Sequence, residues 1–323
     1  MKKVVKLALL LLVASSMTFL GCGQRQDDGV MRVAFIARTQ GDSFAAWLAN
    51  SISEEAARFP NLNVTIMDGQ GNDAWIMSLV ENSIVNRFDI IIVQPNNSEA
   101  QRPAVQQVVN AGIPAVTVNL RIPGMEDVSH SVDADPFEQG AVNARLGFYQ
   151  IPQNGYVVVL NGPAGHMHSI ERRRAWQEEF FDRRPDVTIL GEQFANWNND
   201  EAMNFMEDWV QAHAQIDAVI SMNDNMAAGA IEVIRGDARF SNLLVYGVDG
   251  TAEAALLIEE GLMTATSFQN AHELARITMN LANDILTGNV TGYVNVDIDC
   301  PLITAENVHL LIDAHVATGA IIR

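Results

Sequence analysis

Residues 218–230 read AVISMNDNMAAGA, and residues 243–255 read LLVYGVDGTAEAA. Each is an apolar run of strand length, then a polar tip, then small residues with helical spacing. The first delivers Asn223 to its tip and the second Asp249. Repeated strand–tip–helix units build a parallel sheet and bring amides and carboxylates to one edge of it. That edge is where open α/β proteins bind ligands. It, rather than any catalytic motif, is the functional offer of this chain.

The same unit recurs outward from these two. MRVAFIA at 31–37 reads as a strand, and a helical pattern from Ser43 stops at Pro60. Strands over NVTIMD (63–68), DIIIVQP (89–95) and IPAVTVN (113–119) alternate with helices, the last of which ends at Gly112. The theme restarts with a helix at Pro136 and a strand over GYVVVLNG (155–162), and continues to a helix ending near Leu286. Two successive sets predict an α/β protein of two doubly wound parallel-sheet lobes. The tips are strongly polar: RTQGDS, QPNNSE, NGPAGHMH, ANWNND, MNDN and VDGT. At any one tip, Ser, Asn or Asp before a helix reads first as an N-cap. The concentration of amides, carboxylates and aromatics on so many tips asks for more than capping.

The chain has 323 residues, 48% hydrophobic and 18% charged, enough for two packed lobes and too apolar for a disordered chain. A net charge of -19 lacks the basic footprint of nucleic-acid binding. Lys2, Lys3 and Lys6 precede the apolar run LALLLLV, the pattern of an export signal. The run is short for an uncleaved membrane anchor, which needs about 20 apolar residues. FLGCGQRQDDG places Cys22 where that run stops and resembles a bacterial lipoprotein lipobox, although Phe19 stands where Leu is common. The expectation is a signal peptide over 1–21, a lipid anchor on Cys22 and a tether over 22–30. Cys300 is then a lone thiol with no partner for a disulfide, read as inert and buried.

With these tips in place, the chain resembles the periplasmic sugar-binding proteins of bacterial ABC importers, the type I group that contains the ribose and glucose/galactose binders. The resemblance is carried by QGDSF at 40–44, IIVQPNNSEA at 91–100, IPAVTVN at 113–119, GPAGHMHSIERR at 162–173, SMNDNMAAGA at 221–230, VYGVDGTAEA at 245–254 and TATSFQNA at 264–271. It implies two lobes joined by a three-strand hinge, with the sugar in the cleft between them. Crossings fall near Asp133–Asp135, Gln269–Asn270 and Asp297–Asp299. The N-terminal lobe is then 31–134 plus 270–298, and the C-terminal lobe 135–269 plus 299–323. The resemblance also implies an exported, periplasmic or cell-surface monomer serving an ABC transporter permease, or a chemoreceptor or sensor. It calls for no cofactor, no metal and no catalytic residue.

Residue by residue, the resemblance makes Asp42 and Phe44 a carboxylate and a stacking ring on the first loop. Asn119, His166, Arg172 and Trp197 match the glucose/galactose group, Asn223 and Asp249 fit both groups, and Gln269 matches the ribose type. Gln94 is a further candidate contact. His168 stands where the glucose/galactose group has a ligand aspartate, which leaves the sugar's stereochemistry open. The calcium loop of that group has no counterpart in YQIPQNGYVVV at 149–159.

These residue types suit a monosaccharide. Carboxylates and guanidinium make charge-assisted bonds to hydroxyls, amides both donate and accept, and flat rings cover C–H faces. One Arg against two Asp speaks against an anionic ligand. Trp197, flanked by Asn196, Asn198 and Asn199, reads as an exposed stacking loop, whereas Trp47, Trp75, Trp176 and Trp209 read as core. Arg173 and Arg174 read as a solvated helix face beside Arg172. His166 and His168 lack a third residue at metal-ligand spacing. Rival readings are a glycosidase using Asp42 and Asp249, a lac-family repressor, which needs a helix-turn-helix ahead of the first strand, and the same fold binding a polyol, a nucleoside or a furanose signal molecule.

Overall fold

The computed structural model describes residues 29–323. The expected signal peptide, the lipid-bearing Cys22 and most of the tether lie outside these residues.

Ten α-helices, two short 3-10 helices and twelve strands follow among the described residues. The first sheet takes β1 (Met31–Ala37), β2 (Leu62–Asp68), β3 (Ile90–Val93), β4 (Ala115–Val118), β5 (His130–Ala134) and β11 (Asn295–Ile298), in the order β11-β5-β4-β3-β1-β2. All its pairings are parallel. The second takes β6 (Tyr156–Asn161), β7 (Thr188–Phe194), β8 (Ala218–Ser221), β9 (Leu244–Asp249), β10 (Ala265–Phe268) and β12 (Leu302–Thr304), in the order β12-β10-β9-β8-β6-β7. Only β12 runs antiparallel there, against β10.

Why these runs form buried central strands is visible in β1 and β3. Side chains alternate across a strand. Val33, Phe35 and Ala37, with Ile90 and Ile92, face one apolar core, while Ala34 and Ile36, with Ile91 and Val93, face another. Continuous apolar runs therefore mark a sheet covered on both faces. Helix α1 (Ser43–Ala56) and helix α9 (Ala271–Leu286) cover the first face; α2 (Asp73–Val85) and α3 (Ser98–Asn110) cover the second. Around the second sheet lie α4 (Pro136–Gln150), α5 (Met167–Glu179), α6 (Asn199–Ala212), α7 (Asp224–Ile234), α8 (Ala252–Glu259) and α10 (Val308–Ala317). The chain thus leaves the first sheet after Ala134, returns to it through α9 after Phe268, and leaves again after Ile298.

Of the tryptophans, Trp176 and Trp209 are core residues, and Trp47 is half-buried. Trp75, read as core from its helical spacing, is 43% exposed. Its position in the first turn of α2 lets Nε1 donate to the Asp68 carbonyl at 3.0 Å, which holds the ring over the β2 tip. Cys300 is buried, and burial pushes its thiol up to about 12.

Helices α4 and α5 approach closely because α4 carries Gly140. A Cβ there would stand 2.5 Å from the Arg172 carbonyl oxygen and 2.9 Å from Ala175 Cβ. Backbone cannot yield as a side-chain tip can, so overpacking costs about 1–3 kcal/mol. Gly140→Val should lower the urea midpoint by an equivalent amount with an unchanged m-value. A midpoint equal to that of the wild type would show that the helices can part at no cost.

Candidate functional site

The sequence candidates sit at the carboxyl ends of strands, in the loops that follow or in the first two turns of the next helix. From the first sheet come Asp42 after β1, Gln94 after β3 and Asn119 after β4. From the second come His166, His168 and Arg172 after β6, Trp197 after β7, Asn223 after β8, Asp249 at the end of β9 and Gln269 after β10. All ten are less than a tenth exposed, so the cleft between the two rims is closed in this structure. Phe44 is also buried, but its ring belongs to the first-sheet core and packs edge-on to Trp47 with centroids 5.9 Å apart.

Arg172 organises the second rim. Its Nε donates to Gln139 Oε1 at 2.8 Å, its Nη1 to the Met222 carbonyl at 2.7 Å, and its Nη2 stands 3.8 Å from Asp249 Oδ1. The guanidinium also lies 5.6 Å from the Trp197 ring centroid. Gln139 in turn donates from Nε2 to Gln269 Oε1 at 2.6 Å, and Gln269 Nε2 reaches Asp249 Oδ1 at 3.5 Å. Trp197 is not the exposed loop residue its asparagine neighbours predict. It is 4% exposed, lies edge-on to His166 with centroids 5.3 Å apart, and fits because Gly162 has no Cβ, which would come within 2.2 Å of the indole.

The first rim holds a cation that the sequence reading passed over. Arg38, at the end of β1, is buried and stands 2.6 Å from Asp42 Oδ2. The contrast of one Arg with two Asp is therefore corrected to two guanidiniums, each facing one of those carboxylates. Arg38 N also donates to Gln94 Oε1 at 3.2 Å, and Gln94 Nε2 donates to Asn119 Oδ1 at 2.9 Å. Gln94 thereby fixes which end of the Asn119 amide is free. The rims meet where His168 Nε2 approaches Asp133 Oδ1 of β5 at 3.3 Å.

Capping and site membership coincide. Asp42 Oδ1 accepts from Ala45 N at 2.8 Å, His166 Nδ1 from His168 N at 3.2 Å, and Asn223 Oδ1 from Met226 N at 3.0 Å. Strain collects here as well. Asn119 (φ 65°), Trp197 (φ 61°) and Asp249 (φ 127°) hold left-handed backbone without being glycine, a costly conformation that concentrates at functional sites.

Among the described residues, ten buried side-chain polar atoms lack a hydrogen-bond partner, and five belong to expected site residues. Asp42 Oδ2 has its ion pair with Arg38, and His168 Nε2 has Asp133 nearby. Asn119 Nδ2, His166 Nε2 and Trp197 Nε1 have neither. Buried polar groups are ordinarily paired, so such a cluster marks a place built for a polar ligand. Burial first, then the neighbouring His168 and the guanidiniums, holds His166 well below the usual imidazole range. Desolvation lowers His168 against the pull of Asp133. Both rings are neutral near pH 7, with Nδ1 of His166 the acceptor and its proton on Nε2. Desolvation raises Asp249 well above the carboxylate range, with Arg172 opposing.

Arg38, Gln139, Asp133 and Asp224 were not singled out from the sequence as site residues, Asp133 being read only as part of a hinge crossing. A signal for Gln139 existed: Gln139 and Asn143, spaced i and i+4, place two amides on the buried face of α4, where apolar residues belong.

A family described as the periplasmic binding protein domain matches residues 33–289, and the chain belongs to it. It is a type I periplasmic sugar-binding protein of ABC importers, a substrate-binding protein and not an enzyme. The chain is 28% identical over 255 residues to the xylitol-binding protein of Mycolicibacterium smegmatis, covering 78% of this chain and 72% of that one. It is 26% identical over 256 residues to the ribose import binding protein of Escherichia coli, covering 79% and 85%. A solute-binding protein from Bacillus halodurans, solved with bound myo-inositol, superposes with a TM-score of 0.82 at 25% identity, over 90% of this chain and 99% of that one.

Asp224, next to Asn223, accepts from Thr266 Oγ1 at 2.7 Å and Thr251 N at 2.9 Å, and burial pushes its carboxyl up to about 6. The folded form then holds the proton more tightly than the unfolded chain does. Stability from this group is full below pH about 4 and is lost as pH rises through about 6. Asp224→Asn should therefore flatten the decline in melting temperature across that window. A slope identical to that of the wild type would remove Asp224 as its source.

Proposed function

We propose that this protein captures a neutral monosaccharide by closing its two lobes over it, with a hexopyranose of glucose or galactose type as the ligand. The carrying observation is the set of buried, unpartnered polar atoms on Asn119, His166 and Trp197, which belong to opposite rims of one cleft. Two further features support the reading. Each site guanidinium faces an Asp side chain, Arg38 with Asp42 and Arg172 with Asp249, and Asp133 adds a further acid at the junction of the rims, so no cation is left over for an anionic guest. The Trp197 indole supplies rigid area for a C–H face. The nearest alternative is a polyol, favoured by the neighbour solved with myo-inositol and the relative named for xylitol; nucleosides and furanose signals come after it. On this reading Asp42, Asn119, His166, Arg172, Trp197, Asn223, Asp249 and Gln269 touch the ligand. Gln94 holds Asn119, His168 lies at the junction of the rims, and Phe44 backs the first loop from the core of the first sheet. Each lobe is discontinuous, with crossings at the three hinge segments. The mature protein is a monomer held at the membrane by lipid on Cys22, and it delivers sugar to a permease, with a chemoreceptor or sensor as the alternative recipient.

Thermal-shift screening of sugars, polyols and nucleosides tests this. Ligand at a hundred times Kd stabilises by about 2.7 kcal/mol, a rise of about 5 °C or more. The rise should come with a hexopyranose, and a rise with nucleosides alone would overturn the assignment. Trp197→Ala should weaken sugar binding by at least about 2 kcal/mol, some thirtyfold. Because the indole is also core, circular dichroism is needed to show that the variant remains folded. Wild-type affinity in the folded variant would remove Trp197 from the site.

A further inference from the structure

One indole outside the candidate contacts spans the two lobes. Trp47 of α1 stacks nearly parallel on Phe268 of β10, with ring centroids 6.4 Å apart, and lies tilted against His315 of α10 at 5.1 Å. The indole is aimed by its own lobe. Its Nε1 donates to His272 Nε2 at 3.1 Å. That leaves the His272 proton on Nδ1, 3.0 Å from the buried Ser51 hydroxyl and 3.8 Å from Glu54 Oε2. The chain passes from the second sheet back to the first between Phe268 and α9, so Trp47 touches residues on both sides of that passage. Helices α1 and α10 belong to different lobes, and movement of the lobes separates the Trp47 and His315 rings.

Both partners in the second lobe bear on one turn. His315, 3% exposed, gives its Nε2 proton to the Gly250 carbonyl at 2.9 Å. Phe268 packs on Gly250 so closely that a Cβ there would collide with its ring. The turn needs holding, because Asp249 (φ 127°) and Gly250 (φ 71°) are consecutive residues with positive φ. Such backbone at a non-glycine residue persists only where its surroundings over-determine it. We propose that Trp47 is a latch and a positioning residue: on closure its indole seats on His315 and Phe268, which hold the Asp249–Gly250 turn, so that a side chain touching no ligand sets how fast the ligand leaves. The inference deepens the closure reading above and rests on it. Contacts made in the closed form favour it over the open one, whereas encounter takes place in the open form and is unaffected. Aromatic contacts of this kind lengthen ligand residence by about fivefold or more.

Stopped-flow fluorescence on the purified protein measures kon and koff for whichever of D-glucose, D-galactose, D-ribose, xylitol and myo-inositol the wild type binds most tightly. Trp47→Leu and His315→Leu should each raise koff about fivefold or more, with kon held within about twofold. The double variant should release ligand no faster than the worse single one, because the two rings form one contact. His315→Gln, whose amide can still donate to the Gly250 carbonyl, should recover part of the loss. A koff unchanged by Trp47→Leu, or effects that multiply in the double variant, overturns the latch and leaves the sugar reading in place. A fall in kon together with the melting temperature of Trp47→Leu marks a role in folding alone and also overturns it. If none of these compounds binds, the sugar reading falls, and small-angle X-ray scattering of the protein alone decides the latch: Trp47→Leu should enlarge the radius of gyration, and an equal radius refutes it.

Discussion

A guanidinium taken almost wholly out of water must be answered on every side, because an unpaired buried charge costs several kcal/mol. Arg172 is 2% exposed, and what answers it is the second rim itself: the Gln139 amide, the Met222 carbonyl, the Asp249 carboxylate and the Trp197 face. These partners come from α4, from the β8–α7 connection, from β9 and from the loop after β7. One buried cation therefore fixes the mutual positions of elements far apart in sequence. Gly140 is part of the same device, since only a missing Cβ lets α4 come near enough for Gln139 to reach the Arg172 side chain.

Closure and selectivity share a physical origin. Closing the rims on an empty cleft would bury Asn119 Nδ2, His166 Nε2 and Trp197 Nε1 without partners, and each such burial costs about 1–3 kcal/mol. Closing them over a complementary guest pairs them. On the proposed reading the ligand shifts the lobes toward the closed form in proportion to how many of those groups it satisfies, which is its differential affinity for the two states. Contacts between the lobes that need no ligand are modest: His168 near Asp133, and the Trp47 ring 5.1 Å from His315 and 6.4 Å from Phe268. Modest contacts suit a clamp that must reopen.

The strand–tip–helix units were legible because a strand covered on both faces has to be apolar throughout, as in IIIV at 90–93, and because the polar residue after it stands out against that background. Asn223 and Asp249 could be placed at the carboxyl edge of the sheet for that reason. Trp75 and Trp197 were misjudged in opposite directions. Helical spacing does not say which face a first-turn residue takes, and polar neighbours do not keep an indole in solvent when a glycine opposite makes room for it. Arg38 was hidden by its own type, since arginine at a strand end reads as surface until its ion pair with Asp42 is seen. The short strands β5, β11 and β12 carry mixed burial or only three to five residues, and their pairing across the hinge is a tertiary fact with little local signature.

Capping and ligand recognition looked like competing explanations for the polar tips. On the proposed reading they are successive uses of one side chain. A cap consumes an acceptor: the oxygen of Asn223 or the Nδ1 of His166 meets a backbone N–H at the start of a helix. What the cap leaves over is the donor end, now held in one orientation by the helix it caps. Gln94 does the same for Asn119 and Gln139 for Gln269, with side-chain amides in place of the helix. The donor bias of the cleft follows from this construction and does not depend on any single residue. Helix N-termini gathered on one sheet edge expose N–H groups, N–H groups draw acceptors, and the residues that supply those acceptors turn their remaining hydrogens toward whatever enters between the lobes.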